Sequence, residues 1–419
     1  MPHMSRGLRT TLLALAALLA AGGRARAESP WDASRDQDLE IRLVTFGPGA
    51  EVHQYFGHDA FEVRDTRRRL SGLYNFGMFS FGPDMLPKYL RGQLEFWGTV
   101  TATEPTFRMY EEMGRSVRVR ALDLSPARRR RLVNRLSFYM RPENRTYRYH
   151  HYDNNCTTRL RDLLDGALDG QFNRMHSVPA RMSLRAHTQR YTEHDPIVVM
   201  LLVFWMNDSM ERPIKRYQEA FLPDELERLV DMSSYREADG RTVKLVKSAS
   251  NIAPSVYPEV PARPSVLWPR TLAFGLAVGG IALSLGRWHA QRGSRVARVL
   301  LGLWHVAVGT LYGIPSLVAT LFVFTEWKVT HWNENLCLGN ALTFLALPCG
   351  LPIVFGAAWA LRWMRYAWLA LAASSLLLVV LKLLPMFDQD TSLIMCLALP
   401  VNLGFAAGLW GRTSAPAPA

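Results

Sequence analysis

The C-terminal part of the chain consists of long apolar segments separated by short charged loops. Each segment has the roughly 20 residues that an α-helix needs to cross about 30 Å of hydrocarbon. The third segment is either one tilted helix or a helix broken at Pro348 and Gly350. The sequence thus predicts an α-helical membrane domain of about five transmembrane helices, at 266–286, 299–325, 336–361, 366–384 and 391–410.

Arginine is concentrated in alternate loops of this part. Four arginines lie in the loop 287–298 and two in the loop 362–365, whereas the loops 326–335 and 387–392 are not rich in arginine. Because Lys and Arg collect on the cytoplasmic side of a membrane, the first, third and fifth helices are predicted to run from outside to inside. This orientation places the N-terminal part of the chain outside the bacterial inner membrane, in the periplasm.

Residues 1–27 have the layout of a secretory signal peptide. Arg6 and Arg9 precede an apolar run, and the segment ends in small residues at Ala25 and Ala27. The apolar run is too short to span a bilayer comfortably. We expect cleavage after Ala27, although an uncleaved signal anchor is the alternative, and both agree with a periplasmic N-terminal domain.

The rest of the chain divides by composition. Residues 28–249 are dense in charge and numerous enough to bury a core, so they are predicted to form an α+β periplasmic domain. Within them, 197–206 is apolar but too short to span, which predicts a core or interfacial helix. Four prolines in 250–265 indicate a stiff linker to the membrane domain at 266–411, and 412–419 would be a cytoplasmic tail.

The formal net charge of +13 raises the question of nucleic acid. Much of this charge lies in cytoplasmic loops and in the run Arg128 to Arg131, which follows the helix-start signal Ser125-Pro126. On a helix these arginines are either a solvated face or a contact with anionic lipid head groups. Nucleic acid is not expected as a partner of an exported, membrane-anchored chain.

Cys156 is the only cysteine in the first 336 residues, and the other three fall in the predicted membrane helices. An odd cysteine in an exported domain is either a buried inert thiol or a reactive one. Leucines at helical spacing follow it, so Cys156 is predicted at the N-terminus of a helix. There the helix dipole lowers a thiol's pKa, and backbone N–H groups can bind an oxyanion.

His58 is the best candidate for a base. It lies in a predicted strand at 54–65, which a turn joins to a second strand at 73–81. A hairpin would hold the imidazole rigidly, and Asn75 or Glu62 could orient it as the third member of a triad. A structural histidine is the alternative. The neighbouring histidines before Cys156 match no zinc spacing, so neither a metal nor a cofactor is expected.

Together these residues resemble a known family. A histidine on a strand followed by Asn-Cys at a helix start is similar to the circularly permuted papain-like thiol enzymes. More closely, the soluble half resembles the Lnb family of bacterial lipoprotein N-acyltransferases over most of 40–245. The similar segments are LVTFGPG (43–49), QYFGHDAFEVRD (54–65), LYNFGMFSFG (73–82), YLRGQLEFW (89–97), NRTYRYHHYDNNCTTRLRDLL (144–164) and EAFLPDELERL (219–229).

This resemblance implies transfer of a fatty acyl chain from a membrane phospholipid to the α-amine of a diacylated lipoprotein. It implies a permuted papain-like fold, Cys156 as the nucleophile, His58 as the base and first-turn N–H groups at 156–158 as the oxyanion site. Candidate substrate or interface residues are Asn155 beside the nucleophile and three residues of an outward loop, His331, Asn333 and Asn335. A simple interfacial loop is the alternative for these last three.

Two other functions fit the same residues. A membrane-tethered thiol hydrolase or amidase acting on peptidoglycan or lipid would use the same cysteine and histidine, although it would not require five helices. A non-catalytic envelope sensor would use Cys156 only structurally. The sequence does not show an acceptor site, which is the feature that separates acyl transfer from hydrolysis.

Overall fold

The computed structural model describes residues 29–80 and 82–410, so the predicted signal peptide at 1–27 and tail at 412–419 lie outside the described residues. The N-terminal domain is built on a seven-stranded antiparallel sheet with strand order β6-β4-β3-β2-β1-β5-β9. The strands are β1 (Leu39–Phe46), β2 (His58–Asp65), β3 (Leu70–Met78), β4 (Glu95–Thr101), β5 (Val117–Leu122), β6 (Thr146–Arg148) and β9 (Val246–Ala253); β7 (Ser234–Arg236) and β8 (Thr242–Lys244) form a separate hairpin.

Helices cover both faces of the sheet. They are α1 (Met85–Arg91), α2 (Thr103–Glu112), α3 (Pro126–Tyr139), α4 (Cys156–Ala167), α5 (Gln171–Met175), α6 (Leu184–Thr192), α7 (Pro196–Trp205), α8 (Arg216–Glu219) and α9 (Pro223–Met232). The larger core lies where α3, α4 and α9 pack on the sheet through residues such as Leu136, Leu160 and Leu226. The smaller core lies on the other face, where Phe107 of α2 packs against Phe46 and Ala60.

The predicted hairpin exists with shifted bounds. The first strand begins at His58 rather than at residue 54, because residues 52–54 form a 3₁₀ turn. The second strand begins earlier than predicted, at Leu70, because Arg69 adopts a positive φ of 52° and closes the turn at once. His58 therefore stands at the first position of its strand, at the end of the sheet.

The arginine run lies on α3, as predicted, but its side chains are bound within the domain. Arg128 is buried and pairs with Asp169 and Glu237, and Arg130 pairs with Asp36. The run is therefore not a fully solvated face, because Arg128 is buried, whereas Arg131 is half exposed. Its charges are balanced by carboxylates distant in the sequence, which a local pattern cannot reveal.

Four helices of the C-terminal part are long and apolar enough to cross a membrane. They are α10 (Trp268–Arg292), α11 (Arg295–Phe322), α13 (Ala358–Leu381) and α14 (Ser392–Leu409). α10 and α14 pack closely through glycine: a Cβ on Gly279 would lie 2.2 Å from the carbonyl oxygen of Pro400.

The third predicted segment differs from the expectation. It contains a shorter apolar helix, α12 (Ala341–Val354), and the break falls at Gly356, with φ of +85°, rather than at Pro348 and Gly350. α12 is interrupted at Leu345, and Pro348 is tolerated because it lies in the first turn of the second part, Ala346–Val354, where its missing N–H costs little. α13 then begins at Ala358, so the predicted loop 362–365 is helical.

The N-terminal domain sits on one end of the helical bundle. β9 extends to Ala253, so the irregular connection to α10 begins after residue 253, later than the predicted linker boundary. α7 is the predicted short apolar helix, and it packs on the bundle where Val203 meets Ala319 and Ile394. The Trp205 indole donates to the carbonyl of Pro315 at 3.1 Å.

Candidate active site

Cys156 is the first residue of α4, and Asn155 caps that helix. The Asn155 Oδ1 accepts the N–H of Thr158 at 2.9 Å, and the Thr158 hydroxyl accepts the N–H of Asn155 at 2.8 Å. This reciprocal cap starts the helix at the thiol. The N–H of Thr158 is therefore bound to Asn155. Of the predicted oxyanion donors at 156–158, only the N–H groups of Cys156 and Thr157 remain available to a substrate.

Asn155 does more than cap the helix. Its Nδ2 donates to the carbonyl of His151 at 2.7 Å and to that of Phe221 at 2.9 Å, and the residue is only 6% exposed. All of its side-chain polar atoms are therefore bound inside the domain. These contacts make Asn155 a positioning residue for Cys156 and give it no free group for substrate.

His58 and Asn75 face each other across the hairpin. The His58 Nε2 lies 3.2 Å from Asn75 Oδ1, and the Asn75 Nδ2 donates to Thr101 Oγ1 at 2.9 Å and to the carbonyl of Leu73 at 3.1 Å. Because Nδ2 is held by two acceptors, Oδ1 must face the imidazole. His58 therefore carries its proton on Nε2, and Nδ1 is the free base.

Gly77 lies next to both His58 and Cys156. A methyl group built on Gly77 would lie 3.5 Å from His58 Nδ1 and 3.8 Å from Cys156 Cβ. The β2–β3 pairing stops at Ala60–Asn75, which leaves the first residues of β2 unpaired with β3. The absence of a side chain at Gly77 thus leaves space between the imidazole and the first residue of α4.

The electrostatics of the pair favour neutral groups. Burial raises the pKa of the Cys156 thiol, although backbone N–H groups of Asp59 and Thr157 act in the opposite direction. Burial also lowers the pKa of His58, against the hydrogen bond to Asn75. The expectation that the helix N-terminus would lower the pKa of the thiol is therefore wrong for the resting site, where burial is the larger effect.

Glu62, the alternative orienting residue, is bound elsewhere. Its carboxylate lies 3.7 Å from Arg42 and 3.8 Å from Arg64. The imidazole of His58 instead contacts the side-chain oxygen of Asn75. The structure therefore brings Cys156, His58 and Asn75 together and leaves Glu62 in a separate ion pair.

Arg115 is a residue that the sequence reasoning did not single out. It is only 4% exposed, its Nε donates to the carbonyl of Gly47 at 2.7 Å, and its guanidinium lies 4.6 Å from the ring centre of Tyr110. No carboxylate among the described residues forms an ion pair with it. Its positive charge helps to lower the pKa of His58, after burial.

Asp59 is a second missed residue. Its side chain is fully buried, and a contact with the Thr45 hydroxyl offsets the effect of that burial only in part. Burial, and then the proximity of the Cys156 sulfur, raise the pKa of Asp59 well above its ordinary value. Burial thus acts against a second negative charge next to a forming thiolate. A single acidic residue in a predicted strand does not indicate from the sequence that its side chain is buried or that its pKa is raised.

The outward-loop candidates form the junction between the two parts of the chain. Asn333 Nδ2 donates to the carbonyl of Phe204 at 2.7 Å, and Asn335 Nδ2 donates to the same carbonyl at 3.1 Å. His331 Nε2 lies 2.8 Å from the carbonyl of Thr325. These contacts fix the C-terminal end of α7 on the bundle and do not bring the three residues into the Cys156 pocket.

Comparison with known proteins supports the interpretation of the N-terminal domain. Residues 28–190 match the family described as the Lnb N-terminal periplasmic domain. The matched range contains Cys156, His58 and Asn75. No curated protein and no solved structure matches the chain.

The Asn75–His58 contact predicts different effects for two substitutions. Asn75→Ala removes the acceptor of Nε2–H, so we expect the rate of acylation to fall about 10²-fold, the lower end of what general-base catalysis contributes. Glu62→Gln serves as the matched control and should leave the rate unchanged. The burst of p-nitrophenolate from a p-nitrophenyl fatty acid ester measures both. Equal losses in the two variants would contradict the assignment of Asn75.

The raised pKa of Cys156 predicts its pH dependence. The neutral thiol is unreactive, so alkylation by iodoacetamide should rise with pH through a single titration above about 8.5, the value of a free thiol. Peptide mass spectrometry separates Cys156 from the three cysteines of the bundle. A thiolate–imidazolium pair would instead give a plateau beginning near pH ~4, and that result would show that the resting pair is charged.

Proposed function

We propose that this chain, whose residues 28–190 match the Lnb N-terminal periplasmic domain, is a lipoprotein N-acyltransferase of the Lnb family. In this proposal it works in the bacterial inner membrane. It moves a fatty acyl chain from a phospholipid to the α-amine of a lipoprotein's N-terminal diacylglyceryl-cysteine. The enzyme needs no cofactor, because the chain's own thiol carries the acyl group.

The observation that carries the proposal is that His58, held by Asn75, and Cys156 both border Gly77. A thiol at a helix N-terminus, a histidine that borders the same glycine as the thiol, and an amide that fixes the histidine are the parts of a thiol acyl-transfer site. The order of histidine before cysteine fits the permuted papain-like arrangement that we propose for this domain.

In the first step His58 Nδ1 takes the proton of Cys156, and the sulfur attacks an ester carbonyl of the phospholipid. The N–H groups of Cys156 and Thr157 are placed to stabilise the oxyanion. The carbon–oxygen bond of the ester then breaks, and the leaving lysophospholipid takes the proton from His58. The product is an acyl thioester on Cys156.

In the second step the lipoprotein's α-amine attacks that thioester. Such an amine has a pKa of about 7.7–8.0, so a useful fraction is neutral near pH 7. His58 accepts the proton that the nitrogen loses as the amide bond forms. The carbon–sulfur bond breaks and the sulfur recovers a proton from His58, which completes a double displacement.

The helical bundle supports a lipid substrate. Loops at the end of the bundle touch the domain near the site: the Trp327 indole donates to the carbonyl of Tyr89 at 2.6 Å, and Arg148 pairs with Glu326 at 2.6 Å. Both proposed substrates are anchored in the membrane. A domain held at the end of four apolar helices would meet them far more often than a free one.

Reconstitution tests the proposal. Full-length protein in phospholipid liposomes is incubated with a synthetic diacylated lipopeptide, and mass spectrometry follows the gain of one acyl chain. Cys156→Ser should reduce this product more than about 10³-fold, as loss of a nucleophile does. Cys396→Ser, a free thiol in α14, is the matched control and should remain active.

Three results would contradict the proposal. Transfer that persists in Cys156→Ser would exclude this nucleophile and favour a non-catalytic role. Release of free fatty acid with no acylated lipopeptide would indicate a thiol hydrolase. Product formation on a lipopeptide whose α-amine is acetylated would place the acyl group on another atom.

A further inference from the structure

A cavity of about 220 Å³ lies between the N-terminal domain and the helical bundle. Its walls are mostly aromatic and aliphatic side chains from both parts of the molecule. Tyr149 and His151 come from the domain, Val198 and Leu202 come from α7, and Phe322 and Trp327 come from the end of α11 and the loop after it.

One wall of the cavity is tied to the nucleophile. Tyr149 and His151 belong to the segment that runs directly into Cys156, and the Asn155 amide holds the carbonyl of His151 at 2.7 Å. The Tyr149 hydroxyl lies 3.0 Å from His151 Nδ1. The cavity wall and the start of α4 are therefore one rigid unit.

The opposite wall belongs to the apolar bundle. Phe322 is the last residue of the membrane-spanning helix α11. The ring of Trp205 packs edge-on against Phe322 with centroids 5.3 Å apart, and its indole is bonded to the carbonyl of Pro315. The cavity thus connects the outer end of a membrane helix with the segment before Cys156.

Few polar groups face this space. His151 is kept neutral because burial lowers its pKa to about 4. Its Nε2 has no hydrogen-bond partner among the residues that the structure describes. Walls of this kind suit a hydrocarbon chain, with one imidazole nitrogen available to a polar group at the end of that chain.

We propose that this cavity binds the fatty acyl chain of the donor lipid while its ester carbonyl reacts at Cys156. The inference rests on the proposed acyl transfer and deepens it by assigning the chain its own site. The donor chain is the occupant because it becomes attached to Cys156. The wall residues Tyr149 and His151 precede Cys156 by only a few positions in the chain. The acceptor's own chains need no such connection to the sulfur.

Filling the cavity tests the proposal. Val198→Trp adds bulk to a lining position, whereas Ile197→Trp places the same side chain at the next residue of α7, which is 69% exposed and outside the lining. Liposomes containing phospholipids with either short or long acyl chains are mixed with each protein, and no acceptor is present. The acyl adduct on Cys156 is measured by mass in a single turnover.

The proposal expects Val198→Trp to shift the ratio of long-chain to short-chain adduct by about tenfold or more, because a tight apolar site discriminates strongly by size. Ile197→Trp should keep the wild-type ratio. Equal ratios in all three proteins would overturn the proposal. A change that appears only when the lipopeptide is added, and only in transfer, would assign the cavity to the acceptor and also overturn it.

A second measurement does not depend on catalysis. Cys156→Ala protein is irradiated with a phospholipid that carries a diazirine in its acyl chain, and the cross-linked peptides are mapped. Labels should fall on 198–206 and 322–330 and be lost in Cys156→Ala/Val198→Trp. If the cavity residues are labelled but the wild-type protein forms no thioester, the acyl-transfer function is contradicted and the cavity assignment is not. If the cavity residues are not labelled, the cavity assignment is contradicted.

Discussion

The buried side chain of Asn155 is the contact on which the rest of the site depends. It caps α4 at Cys156, and its amide also holds the segment that forms one wall of the junction cavity and the turn at Phe221. A cap contributes about 1 kcal/mol, and each buried partner left unpaired costs about 1–3 kcal/mol. One residue thus fixes the nucleophile, the cavity wall and the entry to α9 relative to one another.

The environment of the resting site disfavours charged forms of its titratable side chains. Burial raises the pKa of the thiol and of Asp59 beside it and lowers the pKa of the imidazole, so it acts against charge on all three groups. Arg115 is the exception, a buried cation without a carboxylate partner among the described residues. A negative charge that forms at Cys156 or on a substrate oxygen would be attracted by the positive charge of Arg115. This attraction favours the charged intermediate over the resting state.

Local patterns in the sequence predicted the parts of this site that depend on neighbours along the chain. Helical spacing placed Cys156 at a helix start, and strand alternation placed His58 on a rigid hairpin. The errors arose where distant residues decide the outcome. Burial by other elements sets the pKa of the thiol, a positive φ at Gly356 breaks the third apolar segment, and Arg115 reaches the site from the connection before β5.

The central claim is that Cys156 becomes acylated by membrane lipid. The most direct test is the intact mass of the full-length protein after incubation with phospholipid vesicles, with and without neutral hydroxylamine, which cleaves thioesters. We expect an added fatty acyl group that hydroxylamine removes and that Cys156→Ala lacks. An unmodified protein whose Cys156 remains free to alkylate would contradict it.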